Sequence, residues 1–156
     1  MISAEILPMR DNVIVITIDK LPNKQDTLAN VFRALAEENV NVDMISCVAE
    51  CSHDMGVSFS TVHADMQRLL EALKKVRMIY PCVVTNMCCG NTKIVLCGDM
   101  KNEAGVAVRV FSCLAENEIE IRLLTTSENE ISLAVSEGSA DAAHEVLEKE
   151  FKIKTV

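Results

Sequence analysis

The sequence predicts an α+β chain of two repeated βαββαβ units, each an antiparallel sheet with its helices on one face. Three observations carry this. Residues 27–39 and 106–118 share one apolar pattern at an offset of 79, with Val31/Val110, Phe32/Phe111, Leu35/Leu114, Ala36/Ala115 and Glu37/Glu116 identical. The segments that follow, from Val40 and from Ile119, both alternate apolar and polar residues with the period of a half-buried strand. A second apolar-periodic segment then recurs in each half with strand-like runs on both sides.

The elements can be justified in order. Val13 to Ile18 reads as a strand, and the polar stretch Leu21-Pro22-Asn23-Lys24-Gln25 as the loop after it. Leu28, Val31, Phe32, Leu35 and Ala36 fall at i, i+3, i+4, i+7 and i+8, which predicts a helix from Thr27 with these five on its buried face. Asp26 stands where a helix N-cap is expected. Strands follow at Val40–Val48 and Val57–Val62, then a helix at Asp65–Val76 with Met66, Leu69, Leu70 and Leu73 inward, then a short strand at Cys82–Thr85. The second half repeats the order: a strand at Lys93–Cys97, a helix from Val106 with Ala107, Val110, Phe111, Leu114 and Ala115 inward, strands at Ile119–Thr126 and Ile131–Val135, a helix at Ser139–Phe151 and a closing strand at Lys152–Val156. This is the ferredoxin-like order. Residues 2–7 read as an extra strand attached to the first unit. The expected units are therefore 1–88 and 89–156, with Cys88–Thr92 as the boundary loop.

Composition narrows the function. Fifteen Lys and Arg against 23 Asp and Glu leave a net charge of −8, which argues against nucleic acid and against an acidic membrane surface. Aromatic residues are 3% of the chain, too few for the stacking strands of an RNA-binding module. No apolar run approaches a membrane span, and the start MISAEILPMRD lacks the shape of a signal peptide, so a cytoplasmic protein is expected. The seven cysteines include no Cys-x-x-Cys pair. Cys47, Cys51 and His53, with the neighbours Cys88 and Cys89, form a weak metal grouping; the plainer reading is reduced thiols used as small apolar filler. His53, His63 and His144 are scattered, and no phosphate-binding glycine pattern occurs. No catalytic constellation and no cofactor are expected.

One junction stands out. Gly105 precedes the first helix of the second unit, where a glycine permits close backbone approach and the helix start offers unpaired N–H groups. A turn glycine explains the same residue.

Three stretches resemble the tandem ACT regulatory region of the aspartate kinase family: Asn39 to Ser46, Gly98-Asp99-Met100 with Ala104-Gly105-Val106-Ala107, and Thr125 to Ser132. The likeness covers nearly the whole chain. It implies an amino-acid-sensing module, binding lysine or threonine at an ACT–ACT interface, with no catalytic domain in this chain. Sheets with open edges and one covered face invite pairing, so a homodimer is expected, and the likeness allows for a kinase catalytic partner. The effector contacts it implies are Met100, Asn102, Gly105 and Val106 at one loop and helix start, Asp26 and Thr27 at the other, and the strand residues Asn41, Val42 and Asp43. Thr126, Ser127 and Glu128 would line a second site or its interface. Asp43 reads equally as a solvated strand-edge charge. The family usually has glycine where Asp26 stands, and a carboxylate there repels an anionic effector. The alternative is an ACT pair that has lost effector binding and serves dimerisation or interaction.

Overall fold

The computed structural model describes residues 4–49, 54–100 and 104–153. The chain forms two compact units, one of residues Val13–Cys89 and one of Met1–Asn12 with Gly90–Val156. We call them the inserted and the split unit.

The elements are β1 (Glu5–Ile6), β2 (Arg10–Pro22), α1 (Thr27–Glu37), β3 (Ile45–Ala49), β4 (Asp54–Val62), α2 (Met66–Ile79), β5 (Val84–Cys97), α3 (Val106–Glu116), β6 (Ile121–Thr126), β7 (Glu130–Ser136) and α4 (Ala140–Phe151), with short 3-10 turns leading into α2 and α4. In the inserted unit the strand order is β3-β4-β2-β5. The β2–β4 pairs run from Val13↔Val62 to Pro22↔Asp54, and β3 pairs with β4 from Ile45↔Phe59 to Ala49↔Met55. In the split unit β5 pairs with β7 from Asn91↔Ser136 to Cys97↔Glu130, and β7 pairs with β6. The other edge of β5 takes β1, through Glu5↔Cys97 and Ile6↔Leu96. The two ferredoxin-like units are thus as the sequence predicts.

Several expectations need correction. The leader belongs to the second half of the chain, not to the first. Its Ile6 and Met9 pack against the core of Ile94, Leu96, Val110, Leu133 and Leu147, and the Leu7 N–H bonds to the Val95 carbonyl at 3.0 Å. It fills the fourth-strand place that Lys152–Val156 was expected to fill. Lys152 instead enters the left-handed region at φ 51°, and the Ile153 N–H turns back to the Glu148 carbonyl at 3.0 Å, a helix-ending turn. Residues 154–156 lie outside the described residues. The boundary itself falls at 89/90, but Cys88–Thr92 is strand and not loop. Gly90, at φ +68°, allows β5 to continue through that point, and Asn91 and Thr92 are buried. The segment Val40–Met44 lies ahead of β3, although Asp43 N–H to Ser60 carbonyl and Ser60 N–H to Met44 carbonyl, both 3.0 Å, extend the ladder toward it.

The helix faces are also rotated from expectation. The buried residues of α1 are Thr27, Val31, Ala34 and Leu35, and those of α3 are Val106, Val110, Cys113 and Leu114. Leu28 and Phe32 are half-buried against the core, with the Phe32 ring edge-on to Phe59 at 5.9 Å. Their counterparts Ala107 and Phe111 are exposed, as are Ala36 and Ala115. On α2, Leu69, Ala72, Leu73 and Val76 are buried and Leu70 is exposed.

The repeat extends to the helix ends. Asn39 and Glu118 both adopt φ near +55°, at 55° and 56°. Val40 N–H to Leu35 carbonyl at 3.0 Å and Ile119 N–H to Leu114 carbonyl at 2.9 Å close both helices the same way. A left-handed glutamate is strained where glycine is not. Glu118→Gly is therefore expected to stabilise the protein by about 0.5–1 kcal/mol in urea unfolding. Burial, then the Glu150 carboxylate, pushes the Cys113 thiol above its ordinary pKa. Unfolding lets that thiol ionise, so the stability it contributes is complete below the unfolded value and is lost as pH rises through the folded one. The urea midpoint should fall from about pH 8 to about pH 10, and Cys113→Val should make the fall shallower.

Candidate functional site

The two helix starts, equivalent in sequence, are built differently. In the split unit β5 ends at Cys97, and the chain then runs against the β6–β7 turn. The Gly98 N–H donates to the Asn129 carbonyl at 2.9 Å, and the Met100 N–H to the Glu128 carbonyl at 3.0 Å. The turn is closed by Ser127 N–H to Glu130 carbonyl at 2.8 Å and by the Asn129 N–H to Ser127 Oγ at 3.3 Å. Met100, Ser127 and Glu128 are thereby brought together, with Thr126 one residue away at the end of β6. The Met100 amide is spent on this anchorage, so what it offers a ligand is its side chain, which rests on the core. Asn102 lies outside the described residues.

Gly105 precedes α3 in the left-handed region at φ 90°, and no side chain caps the helix. A Cβ built on Gly105 would meet nothing within 4 Å. The glycine is required by backbone conformation, and among the described residues nothing fills the space above it. Val106 is buried and anchors the helix below that space. The one cation of α3 is already committed. Arg109 donates from Nε to Glu150 Oε1 at 2.6 Å and from Nη2 to the Glu150 carbonyl at 2.8 Å, and lies over the Phe151 ring at 4.3 Å. It fastens α3 to α4. The split unit can therefore offer an anion the unpaired amides of the first helical turn.

In the inserted unit the same junction is tied shut. Thr27 is fully buried and its hydroxyl donates to the Pro22 carbonyl at 2.7 Å. The Lys24 N–H bonds to the Pro22 carbonyl at 2.8 Å and the Thr27 N–H to the Lys24 carbonyl at 3.3 Å. Thr27 is a latch on the loop and presents no hydroxyl to a ligand. Asp26 adopts a right-handed helical conformation and makes no side-chain cap, contrary to the expected N-cap. Its carbonyl receives the Asn30 backbone N–H at 2.9 Å, and its carboxylate receives the Asn30 side-chain amide at 3.5 Å. The exposed carboxylate stays at the helix start.

Asn41, Val42 and Asp43 lie elsewhere. The Asn41 N–H donates to Asp65 Oδ2 at 3.2 Å, and the Asn41 carbonyl accepts from Thr61 Oγ1 at 2.7 Å. Val42 packs half-buried on the core. Asp43 is exposed, with its N–H on the Ser60 carbonyl. This places the segment near the Val62 end of β4, whereas Asp26 and Thr27 follow Pro22, which pairs at the Asp54 end. The distance along β4 is roughly 20 Å at about 3.3 Å per residue. The two groups of predicted contacts in this unit do not form one site. The residue that sequence reasoning missed is Asp65, a buried carboxylate that also bonds Arg68 and so positions Asn41. Its one signal in the sequence is its place just ahead of α2.

Other chemistry finds little support in the geometry. Among the described residues no group of three or more His, Cys, Asp and Glu is arranged to hold a metal, and Cys51 and His53 lie outside them. Cys113 is buried; Cys47, Cys82 and Cys89 are exposed, so apolar filling accounts for only part of the cysteines. Burial, then the carboxylates of Glu130 and Glu5, pushes the Cys97 thiol up, away from reactive thiolate. No helix among the described residues is long and apolar enough to cross a membrane.

Residues 94–151 match the ACT domain family. The aspartokinase of Corynebacterium glutamicum is 31% identical over 144 residues, which cover 88% of this chain and 34% of that protein. The chain spans about a third of the length of the curated aspartokinases it matches. The ligand-free regulatory subunit of aspartate kinase from Thermus thermophilus superposes with a TM-score of 0.85 at 23% identity, over 96% of this chain and 98% of that one. A chain of the aspartokinase alpha and beta subunit structure gives 0.82 at 26% identity, over 96% of this chain and all of that one. With the doubled ferredoxin-like fold, these likenesses run over nearly the whole chain, which is similar throughout to the ACT regulatory region of the aspartokinase family.

Proposed function

We propose that the chain is an amino-acid-sensing module that regulates a separate catalytic chain and has no catalysis of its own. The observation that supports the reading is the start of α3, which has no side-chain cap and where a Cβ on Gly105 would meet nothing within 4 Å among the described residues. First-turn amides would hold the effector carboxylate there, and Met100, Thr126, Ser127 and Glu128 would surround it. Glu128 would meet the ammonium group. Asn41 and Asp43, which lie away from their own unit's helix start, would contribute only across an interface with a second chain of a homodimer. Lysine and threonine are the effectors to try first, from the family likeness. An effector that favours one arrangement of the dimer shifts the population toward it, and the catalytic partner reads the shift. That partner would be an aspartate kinase chain, as in the assembly of aspartokinase alpha and beta subunits.

The second reading, an interaction module without an effector, is favoured by the inserted unit, where Asp26 and the Thr27 latch close the equivalent junction.

A thermal-shift screen against the common amino acids separates the two, because a ligand of the native state raises the melting temperature. A flat screen at millimolar concentrations would leave the interaction module. By calorimetry, Asp26→Gly should gain affinity for the effector by about fivefold, the equivalent of about 1 kcal/mol, while Gly105→Asp should weaken binding by at least as much. Alone with ATP and aspartate, the purified protein should form no aspartyl phosphate in a coupled assay.

A further inference from the structure

We propose that the groove between α2 and the β5 segment Thr85–Met87 is a docking site for an acidic, apolar-faced peptide segment of a partner protein. The groove is a cavity of about 280 Å³ within the inserted unit, with Leu70, Leu73 and Met87 supplying its apolar surface and Lys74 and Arg77 standing beside them. Thr85 and Met87 are two apart on β5, so both side chains leave the strand on the same face, toward α2.

Two independent features indicate what the groove accepts. The first is apolar exposure. Two of the large hydrophobic residues exposed among the described residues, Leu70 and Met87, line the groove from its two sides, at 41% and 42% exposure. Apolar side chains left in solvent on both walls of one groove mark a contact surface.

The second is charge. In a chain of net charge −8, α2 carries four cations, Arg68, Lys74, Lys75 and Arg77, and one carboxylate, Glu71. Arg68 is held by Asp65, and Lys75 by Glu38 at 2.7 Å and Glu37 at 3.1 Å. Lys74 pairs with Glu71 at 2.6 Å. Arg77 bonds the neutral Thr85 hydroxyl and no carboxylate among the described residues. Glu71 lines the groove as well and offsets Lys74, so the groove's surplus charge is the one guanidinium of Arg77, with spare donors beside apolar side chains on a helix of net positive charge. A carboxylate bound there exchanges a hydroxyl contact for a charge-assisted pair, and an apolar side chain beside it covers Leu70 and Met87. A basic or neutral segment would gain only the second part.

The site lies apart from the α3 start, so it stands or falls independently of effector binding. The test uses the full chain and two fluorescein-labelled amphipathic helical peptides of about four turns, one with leucines flanked by glutamates and its counterpart with lysines. Fluorescence anisotropy should show saturable binding of the glutamate peptide and at least tenfold weaker binding of the lysine peptide. Nitrogen-15 amide shifts should cluster at Leu70, Arg77 and Met87. The double variant Lys74→Glu, Arg77→Glu, at exposed positions and checked by circular dichroism, should invert the preference. Leu70→Ser should weaken both peptides. Absence of saturable binding, or binding unchanged by the charge reversal, overturns the proposal. So does sedimentation equilibrium in which these variants dissociate a dimer, since the groove would then be an interface between copies of this chain.

Discussion

The architecture depends on one backbone requirement at the end of β5. Between Val95 and Cys97 the strand has β7 on one side, and on the other a row of N–H and C=O groups that must be paired or left to water. Residues 5–7 supply the pairs. That pairing draws Ile6 and Met9 into the core around Ile94 and Leu96 and makes one unit out of both ends of the described chain. The continuous run Val13–Cys89 is left as an independent inserted unit with its own core around Phe59, Ile16 and Leu35.

Within that frame the two units have diverged at their surfaces and not in their cores. Val31/Val110 and Leu35/Leu114 are buried in both helices, while Phe32 packs against Phe59 and Phe111 stands partly in solvent with Val108. The identical residues of the repeat therefore belong to two stripes, one facing the core and one beside it. A period of 3.6 in the sequence identifies an apolar face but does not say how much of it the sheet beneath will cover. The same limit applies on α2, where Leu70 reads as core and lies on the surface, at the edge of the groove with Met87.

The divergence at the helix starts bears most on function. Both junctions follow a strand and precede a helix anchored by a buried residue, Thr27 in one and Val106 in the other. A buried hydroxyl needs a partner, so Thr27 draws the Pro22 carbonyl over it and the loop closes. Valine makes no such demand, and Gly105 turns through the left-handed region with nothing within 4 Å of a Cβ among the described residues. The helix anchors of the repeat thus differ by a hydroxyl that needs a partner, and Asp26 adds a charge on the Thr27 side.

By itself the sequence determined the repeat, the four helices, the two ferredoxin-like units and the family likeness. Each of these rests on short-range periodicity or on residues close in the chain. It also pointed to Gly105 and to the mismatch at Asp26. Tertiary structure decided what depends on distant segments: which unit takes the leader, which side of each helix is covered, and that Asn41–Asp43 sit at the far end of β4 from Asp26. The role of Asp65 in holding the Asn41 amide belongs here as well. Strand pairing and burial join residues tens of positions apart, and a one-dimensional pattern carries no record of which edge a free strand will find.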